Sequence, residues 1–324
     1  MPRVLTVTLN PAIDMRMRFA SLELEGLNRA QDVQLEPSGK GINVARALAR
    51  QGFDVTAVAL LGGPFGAMLE NQLLELQLLE QSISSPLHGL RLLRVPIAGE
   101  TRCNVKVLDL ERSAVTELNA PGPEVHESEL EELRRALQRE VKAGDLVVLS
   151  GSLPTNAPVA TYANLIRELS GLGAKTYFDA DGSALQAGLG EQPFLIKPNR
   201  LEAETLLKMT IESPAEALEA ARRLQTLGAQ HVVLSLGGDG ALFVSRDQAV
   251  FAKPPAVQVH STVGSGDALL SGVVAAQLQA LSWPETARYA TAVAAARVAS
   301  ISLEFPNPTE IAALLEQVQV SPVV

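Results

Sequence analysis

The sequence predicts an α/β fold with a mostly parallel central sheet that is covered by helices on both faces. Short apolar runs alternate with longer stretches of helical spacing, and Gly, Pro or Asn residues close most of the runs. The chain has 324 residues, 47% of them hydrophobic, which is enough apolar material for a large core. Only 4% are aromatic, so this core must be mainly aliphatic.

The expected strands are short apolar runs that end at turn residues. They are Val4–Leu9, Val55–Leu61, Leu146–Ser150, Lys175–Asp179, Phe194–Lys197, His231–Ser235 and Ala241–Val244. Stretches of helical spacing separate them, and the expected helices include Gly41–Gln51, Phe65–Leu79, Thr161–Leu169 and Ala268–Leu281. Two further helices are expected from capping residues, namely Ser128 with Glu131 and Ser213 with Glu216.

Two segments break the alternation of strands and helices. Met15–Leu35 and Leu90–Leu118 contain loosely alternating residues with turn signals between them, which is typical of antiparallel strands. We expect residues 15–35 and 90–118, approximately, to form a small β-sheet lid inserted in the α/β core. The whole chain, 1–324, is expected to be a single domain.

The composition excludes several classes of function. Lys and Arg number 27 against 36 Asp and Glu, and this net charge of -9 argues against a general binder of nucleic acid or anionic membranes. The single cysteine, Cys103, cannot form an internal disulfide, which favours a reducing compartment. The N-terminus lacks the pattern of a signal peptide, and no run approaches the roughly 18 apolar residues of a membrane span. We therefore expect a cytoplasmic protein.

The strongest motif is the glycine loop, Thr262–Asp267, which precedes an expected helix. Gly264 and Gly266, on either side of Ser265, allow backbone N–H groups to point into one small volume, and the helix start adds positive potential. Such a nest suits the negative charge that develops on a phosphoryl group in transfer. Asp267 could accept a proton from an attacking hydroxyl, although an ordinary Asp at a helix start has the same pattern.

Two further motifs lie within the first fifty residues. Gly39 and Gly41 flank Lys40, which supplies charge, and the amide of Asn43 can bridge two sugar hydroxyls as donor and acceptor. Asp14 lies just beyond the first strand, where open α/β sheets bind ligands, and its carboxylate could accept hydrogen bonds from a polyol. The alternatives are a solvent-facing loop lysine with a capping Asn, and an Asx-type turn at Asp14.

Another motif lies within the second irregular segment, in Thr101–Lys106. Strand alternation puts Arg102, Asn104 and Lys106 on one face, with Cys103 on the other. Two cations on one face of an acidic protein suit a substrate phosphate. A solvated edge strand would give the same pattern.

The remaining motifs follow later strands. Asn199 and Glu202 can share one side of a first helical turn, where they could order water around Mg²⁺, or they can simply cap the helix. The turn in Ser235–Gly240 could lie against a nucleotide or be a plain hairpin. Because the carboxyl ends of parallel strands meet at one edge, a single crevice could collect the polar residues that follow them. These are Asp14, Lys40, Asn43, Ser152, Asn199 and Asp267.

Taken together, these motifs resemble the PfkB (ribokinase-like) carbohydrate kinase family over nearly the whole chain. The stretch Gly39–Ala45, the pair Asn199 and Glu202, and the loop Gly264–Asp267 carry the resemblance. It implies a three-layer α/β ribokinase-like fold with a small β-sheet lid that often makes a dimer contact. It also implies ATP and Mg²⁺ as cofactors, with phosphoryl transfer to a sugar hydroxyl.

The resemblance also implies a role for individual residues. Asp267 corresponds to the catalytic base, and Gly264, Ser265 and Gly266 correspond to the anion hole. The implied sugar-phosphate site consists of Asp14, Arg29, Gly39, Lys40, Asn43, Arg102, Asn104, Lys106 and Ser152. The implied nucleotide site consists of Lys197, Asn199, Glu202, Ser235, Gly237, Gly240 and Thr262, with Glu202 holding the metal through water.

Within the family, the sequence is most similar to the subgroup that phosphorylates fructose 1-phosphate at the C6 hydroxyl. Thr6–Asp14, Asn28-Arg29, Thr101–Lys106 and Gly151–Pro154 carry this closer match. Kinases of tagatose 6-phosphate and fructose 6-phosphate share much of the pattern and remain alternatives. An inactive sugar-phosphate-binding sensor is the alternative from another class. The expected partners are ATP, a phosphosugar and a second copy of the chain, bound through the lid.

Overall fold

The computed structural model describes residues 2–82, 89–112, 114–300 and 304–323. The predicted α/β fold is confirmed, with a large sheet, a small sheet and ten helices among the described residues. In chain order the elements are β1 (Val4–Thr8), β2 (Ala12–Phe19), β3 (Asp32–Ser38), α1 (Lys40–Arg50), β4 (Val55–Leu61), α2 (Gly63–Ser82), β5 (Leu90–Pro96), β6 (Arg102–Asp109), β7 (Ala114–Leu118), α3 (Glu127–Glu140), β8 (Leu146–Ser150), α4 (Thr161–Gly171), β9 (Lys175–Asp179), α5 (Gly182–Leu189), β10 (Leu195–Ile196), α6 (Arg200–Leu207), α7 (Pro214–Thr226), β11 (His231–Ser235), β12 (Ala241–Val244), β13 (Ala249–Lys253), α8 (Ser265–Leu278), α9 (Trp283–Ala299), α10 (Pro308–Leu315) and β14 (Gln319–Pro322).

The large sheet has ten strands in the order β14-β13-β12-β11-β10-β9-β8-β1-β4-β5. The seven strands from β11 to β5 are parallel, and β12, β13 and β14 extend the sheet in antiparallel fashion. From β1 the chain moves first to β4 and β5 on one side, and later to β8 and β9 on the other. The strand order therefore reverses beside β1, and ligands of open α/β sheets bind at such a reversal.

Each face of the large sheet carries its own hydrophobic core, which gives the three layers that were expected. One core packs α3, α4, α5, α6 and α7 on the sheet, and Tyr162 and Phe178 are its largest fully buried side chains. The other packs α1, α2, α8, α9 and α10 on the opposite face, and it is mainly aliphatic. Successive strand residues such as Val4 and Leu5 enter opposite cores, because side chains alternate along a strand. No described helix is long and apolar enough to cross a membrane.

The small sheet has the strand order β3-β2-β6-β7, and it differs from the expected lid in two ways. Leu90–Pro96 does not belong to it, because this strand pairs in parallel with β4 at the edge of the large sheet. Leu90 is buried in one core and Val95 in the other, and this burial on both faces explains why the strand joins the large sheet. In addition, β2 and β6 are parallel, so the small sheet is mixed. Ser113, within the predicted lid range, lies outside the described residues.

Candidate active site

A cavity of about 990 Å³ opens at the carboxyl ends of the parallel strands, beside β1 and β8. The small sheet contributes one wall, through Arg102, Asn104 and Lys106 of β6 and Glu117 of β7. All but one of the residues assigned to the glycine loop, the sugar-phosphate site and the nucleotide site line this cavity. They are Asp14, Gly39, Lys40, Asn43, Arg102, Asn104, Lys106, Ser152, Lys197, Asn199, Glu202, Ser235, Gly237, Gly240, Thr262, Gly264, Ser265, Gly266 and Asp267.

Arg29 is the exception among the expected site residues. It is exposed and does not line the cavity. The cavity lies at the end of the β2–β3 pair where Ala12 faces Ser38, whereas Arg29 belongs to the connection beyond Arg18 and Asp32. Arg18 is four residues past Asp14, which is about 13 Å along an extended strand. The length of the β2–β3 pair therefore carries Arg29 away from the site.

The glycine loop forms the N-terminus of α8 and faces the cavity. Gly264 is the N-cap residue, with a φ of 75°, a left-handed conformation that favours glycine. The N–H of Ser265 donates to the carbonyl of Thr262 at 3.2 Å and is therefore used within the loop. The N–H groups of Gly266 and Asp267 belong to the first helical turn and have no intrahelical acceptor. They are the candidate donors to a negatively charged group in the cavity.

Asp267 is buried, with 7% of its surface exposed, and its carboxylate accepts a hydrogen bond of 2.8 Å from Nδ2 of Asn43. This contact joins α8 to α1. Burial, together with the nearby carboxylate of Asp179, raises the pKa of Asp267 to about 6. A carboxylate with such a pKa can take a proton near neutral pH more effectively than an ordinary Asp.

Two ammonium groups lie close to Asp267, and a second buried carboxylate holds both. Lys40 is the first residue of α1, and its Nζ lies 3.2 Å from Oδ1 of Asp179. Lys197 follows β10, and its Nζ lies 3.2 Å from Oδ2 of the same residue. We call Lys40, Asp179, Lys197 and Asp267 the charge cluster. This cluster brings two positively and two negatively charged side chains together next to the glycine loop.

Asp14 is fully engaged by protein groups. Its carboxylate lies 2.5 Å from Nζ of Lys106 and accepts hydrogen bonds from Ser38 at 2.8 Å and Asn104 at 2.9 Å. Asp14 and Lys106 are both buried. In the structure Lys106 thus neutralises Asp14, and Arg102 becomes the better candidate for contact with a phosphate.

Arg102 binds two carbonyl oxygens at the rim of the cavity. Its guanidinium donates to Ala120 at 2.7 Å and to Asn10 at 3.0 Å, and its Nε–H is buried without a hydrogen-bond partner among the described residues. Such a buried donor is costly unless an acceptor satisfies it, as a phosphate oxygen could. Asn10 in turn donates to the hydroxyl of Ser152 at 3.2 Å, so these three residues form one connected group.

The opposite part of the cavity suits a nucleotide. Asn199 caps α6 by accepting from the N–H of Glu202 at 2.9 Å, and a carboxylate oxygen of Glu202 accepts from the N–H of Asn199 at 2.8 Å. The helix-cap alternative therefore holds, and Glu202 still lines the cavity. Apolar side chains that would suit an adenine base line this end. They are Pro254, Pro255, Ala256, Val257, Val259, Ala294, Ala295 and Val298.

Within the described part of the chain, no group of three or more His, Cys, Asp or Glu residues could hold a metal ion. Mg²⁺ commonly binds through one or two carboxylates, several waters and substrate phosphates. Glu202 is a suitable carboxylate because it lines the cavity near Lys40, on which its charge acts.

Sequence reasoning missed two functional candidates. Asp179 is the last residue of β9, and Asn10 comes two residues after β1. Both residues could have been predicted by applying to every strand the rule that ligands bind at the carboxyl ends of strands. Five other polar residues also line the cavity, namely Ser38, Glu117, Asn119, Asp181 and Thr291.

Comparisons with known proteins show the family to which the chain belongs. Residues 7–310 match the family model described as pfkB family carbohydrate kinase. The chain is 37% identical over 307 residues to the 1-phosphofructokinase of Xanthomonas campestris, covering 92% of each protein. It is 34% identical over 319 residues to that of Vibrio cholerae, covering 98% of this chain and 96% of the relative.

Solved structures give the same picture. The phosphofructokinase-2 of Escherichia coli superposes on the chain with a TM-score of 0.90 at 28% identity, covering 98% of this chain and 99% of the other. A possible 1-phosphofructokinase from Thermotoga maritima superposes with a TM-score of 0.86 at 25% identity, covering 99% and 100%. With the family match spanning most of its length, this chain belongs to the pfkB family of carbohydrate kinases and is a phosphotransferase.

Proposed function

We propose that the protein is an ATP-dependent kinase that phosphorylates fructose 1-phosphate at the C6 hydroxyl, giving fructose 1,6-bisphosphate. The observation that carries the proposal is the buried carboxylate of Asp267, next to the glycine loop and in the same cavity as Arg102 and Lys40. The choice of substrate is supported by relatives that are named 1-phosphofructokinases and are similar over nearly their whole length.

On the sugar side, the sugar phosphate would bind the guanidinium of Arg102 and the hydroxyl of Ser152. Asn104 and Asn43 would orient the sugar hydroxyls, and Asp14 would act mainly by fixing Asn104 and Ser38. This assignment changes the sequence expectation for Asp14, because its carboxylate already has three protein partners. Gly39, with a φ of 123°, packs closely against Thr8 and Pro11 just before Lys40.

In the chemical step, Asp267 would accept the proton of the C6 hydroxyl as its oxygen bonds to the γ-phosphorus of ATP. The bond between that phosphorus and the bridging oxygen breaks, and its electron pair leaves with ADP. Asn43 holds the Asp267 carboxylate at 2.8 Å and so fixes its direction. The N–H groups of Gly266 and Asp267, with the ammonium groups of Lys40 and Lys197, stabilise the charge that develops on the transferred group.

On the nucleotide side, Lys197 lies beside the glycine loop, and Thr262, Ser235, Gly237 and Gly240 line the path towards the apolar end of the cavity. Mg²⁺, held through water by Glu202, would neutralise charge on the β- and γ-phosphates. Because ATP is a substrate, we expect the enzyme to work in the cytoplasm.

The proposal is tested by measuring ADP release with fructose 1-phosphate, fructose 6-phosphate and tagatose 6-phosphate. We expect the highest kcat/KM for fructose 1-phosphate. A higher value for either other sugar would assign the enzyme to that reaction. Thermal stabilisation by a phosphosugar without ADP release would identify a sensor and contradict the proposal.

Replacing Arg102 by alanine is expected to raise KM for the phosphosugar by about 10- to 100-fold, because a charge-assisted hydrogen bond contributes about 1.5–3 kcal/mol. The KM for ATP should change little, since Arg102 lies at the sugar end. Steady-state kinetics with each substrate varied in turn measure both values. Arg139→Ala, which removes an exposed arginine of α3, is the matched control. An unchanged sugar KM would remove Arg102 from the phosphate site.

We further propose that two copies of the chain associate through the small sheet, which would make it a shared lid. Five large apolar side chains are exposed on this sheet and on the β2–β3 connection, and exposed apolar patches mark interaction sites. Val33 and Leu118 lie on one face of the sheet and Val115 on the other, because paired residues of neighbouring strands share a face. They are Leu24 at 88%, Leu27 at 80%, Val33 at 50%, Val115 at 48% and Leu118 at 56% exposure. A phosphofructokinase-2 from Escherichia coli has a tetrameric inhibited form.

Leu118→Asp is expected to shift the protein from dimer to monomer in analytical ultracentrifugation, because the interface would have to bury a charge. Leu227→Asp changes a similarly exposed leucine at the end of α7 and should leave the dimer intact. A Leu118→Asp protein that sediments like the unmodified one would contradict association through β7.

A further inference from the structure

Asp179 is a buried carboxylate that takes no direct part in the proposed phosphoryl transfer. It closes β9, only 2% of its surface is exposed, and its two oxygens each lie 3.2 Å from one ammonium group. The lysines come from separate parts of the chain, Lys40 from the start of α1 and Lys197 from the segment after β10. The carboxylate of Asp179 therefore connects two ammonium groups that come from different parts of the chain.

The position of Lys197 shows where these cations are held. A Cβ atom on Gly266 would lie 3.3 Å from Nζ of Lys197, so the ammonium group abuts the glycine loop at a residue without a side chain. Lys40 is the more exposed of the two, with 37% of its side chain accessible against 5% for Lys197. The pair therefore extends from the loop towards the open cavity.

We propose that Asp179 is a positioning residue, which fixes the ammonium groups of Lys40 and Lys197 beside the glycine loop and keeps both off the carboxylate of Asp267. The inference rests on the proposed function and deepens it, because it explains how the base stays available in a site that needs cations. Asp179 itself would touch neither substrate.

The electrostatics of the cluster support this role. Burial opposes the charged form of Asp179, yet the two ammonium groups lower the pKa of this residue below its usual value. The Asp179 carboxylate in turn raises the pKa of Lys40, although burial opposes it. The other carboxylates whose charges act on Lys40 are Asp267 and Glu202. Without Asp179, a buried ammonium group would pair with Asp267 and occupy the acceptor that the proton needs.

The pKa of Asp267 would respond to the loss of Asp179, because the charged groups around Asp267 act directly on its carboxylate. Burial and Asp179 raise its pKa, whereas the Asn43 hydrogen bond and the two lysines lower it. The groups that face or act on Asp267 are Lys40 and Asn43 from α1, Asp179 from β9, Lys197 from the segment after β10 and Arg297 from α9.

Asp179→Asn is therefore expected to lower kcat by about 10- to 100-fold, because the cations are no longer held in place. It should also shift the acid limb of the kcat/KM profile. In the unmodified enzyme, activity should fall as the pH drops below about 6, where Asp267 takes up a proton. The variant loses a neighbouring negative charge and frees two cations, so its limb should lie at lower pH by about one unit.

Asp145→Asn is the matched control. Asp145 is also buried and paired with a cation, Arg3. It directly precedes β8, so it lies at the amino ends of the strands, on the side of the sheet away from the cavity. This variant should change neither kcat nor the acid limb. Carboxyl-carbon NMR of the aspartate-labelled protein, assigned with Asp267→Asn, measures the pKa of Asp267 without any substrate. This measurement decides the role of Asp179 even if fructose 1-phosphate is not the substrate. If the unmodified enzyme releases no ADP with fructose 1-phosphate, the proposed function fails, and the NMR result still stands.

A second pair of proteins keeps the test decisive if Asp179→Asn does not fold. Asp179→Asn combined with Lys197→Met removes the more buried ion pair as a whole, and it is compared with Lys197→Met alone. The double variant should still show a lower Asp267 pKa than the single one, because Lys40 is released. An unchanged Asp267 pKa in both comparisons would overturn the proposal. A lower kcat with an unchanged acid limb would do the same, because a general loss of packing explains it.

Discussion

Replacing Asp267 by asparagine is expected to lower kcat by about 10²- to 10⁴-fold, the usual contribution of a positioned general base. The amide has the same shape, and its oxygen can still accept the hydrogen bond that Asn43 donates at 2.8 Å. It cannot take a proton from the attacking hydroxyl. Both substrates should therefore still bind, and the acid limb near pH 6 should disappear because the group that titrates there is gone.

A coupled assay of ADP release measures kcat, and isothermal calorimetry measures binding of ATP and phosphosugar to the variant. Asp145→Asn, the same change at a buried carboxylate outside the cavity, should have nearly unmodified kinetics. Turnover within a few-fold of the unmodified enzyme would reject Asp267 as the base. Loss of binding together with turnover would instead indicate that the variant disrupts α1 and α8.

Much of the fold could be predicted because local signals and tertiary packing agree. The strands Val55–Leu61 and Leu146–Ser150 have the predicted bounds, since both are mainly apolar and a glycine follows each of them. The start of α3 was predicted wrongly. Its N-cap is His126, with Glu129 closing the capping box, rather than Ser128 with Glu131. Acidic residues repeat along this segment, so several capping registers fit the sequence, and packing of the apolar face selects one.

The position of Leu90–Pro96 could not be predicted from its own residues. A strand with alternating polar and apolar residues suits the edge of either sheet. Only its pairing with β4 shows that it belongs to the large sheet. The polar contacts inside the site were unpredictable for a similar reason. Lys106 pairs with Asp14 because β2 and β6 are parallel and in register, with Asp14 opposite Asn104. Sequence spacing cannot supply a register between strands that are about ninety residues apart.

The buried pair of Asp14 and Lys106 should give the largest effect on stability. Asp14→Ala removes the carboxylate that lies 2.5 Å from the Lys106 ammonium group, and only 9% of the Lys106 side chain is exposed. It also leaves Ser38 and Asn104 without their common acceptor. Leaving one buried charge without its partner costs about 3–5 kcal/mol. The free energy of unfolding should fall by this amount, and KM for the phosphosugar should rise because Asn104 is no longer held.

Denaturant unfolding measures the loss, and the double variant Asp14→Ala with Lys106→Met identifies its cause. If the unpaired charge is responsible, the second change should restore most of the stability, because a buried methionine needs no counter-ion. Sugar binding should not recover, since the contacts to Ser38 and Asn104 remain absent. A double variant as unstable as Asp14→Ala would show instead that lost hydrogen bonds dominate. The two measurements thus separate what the pair contributes to folding from what it contributes to the substrate.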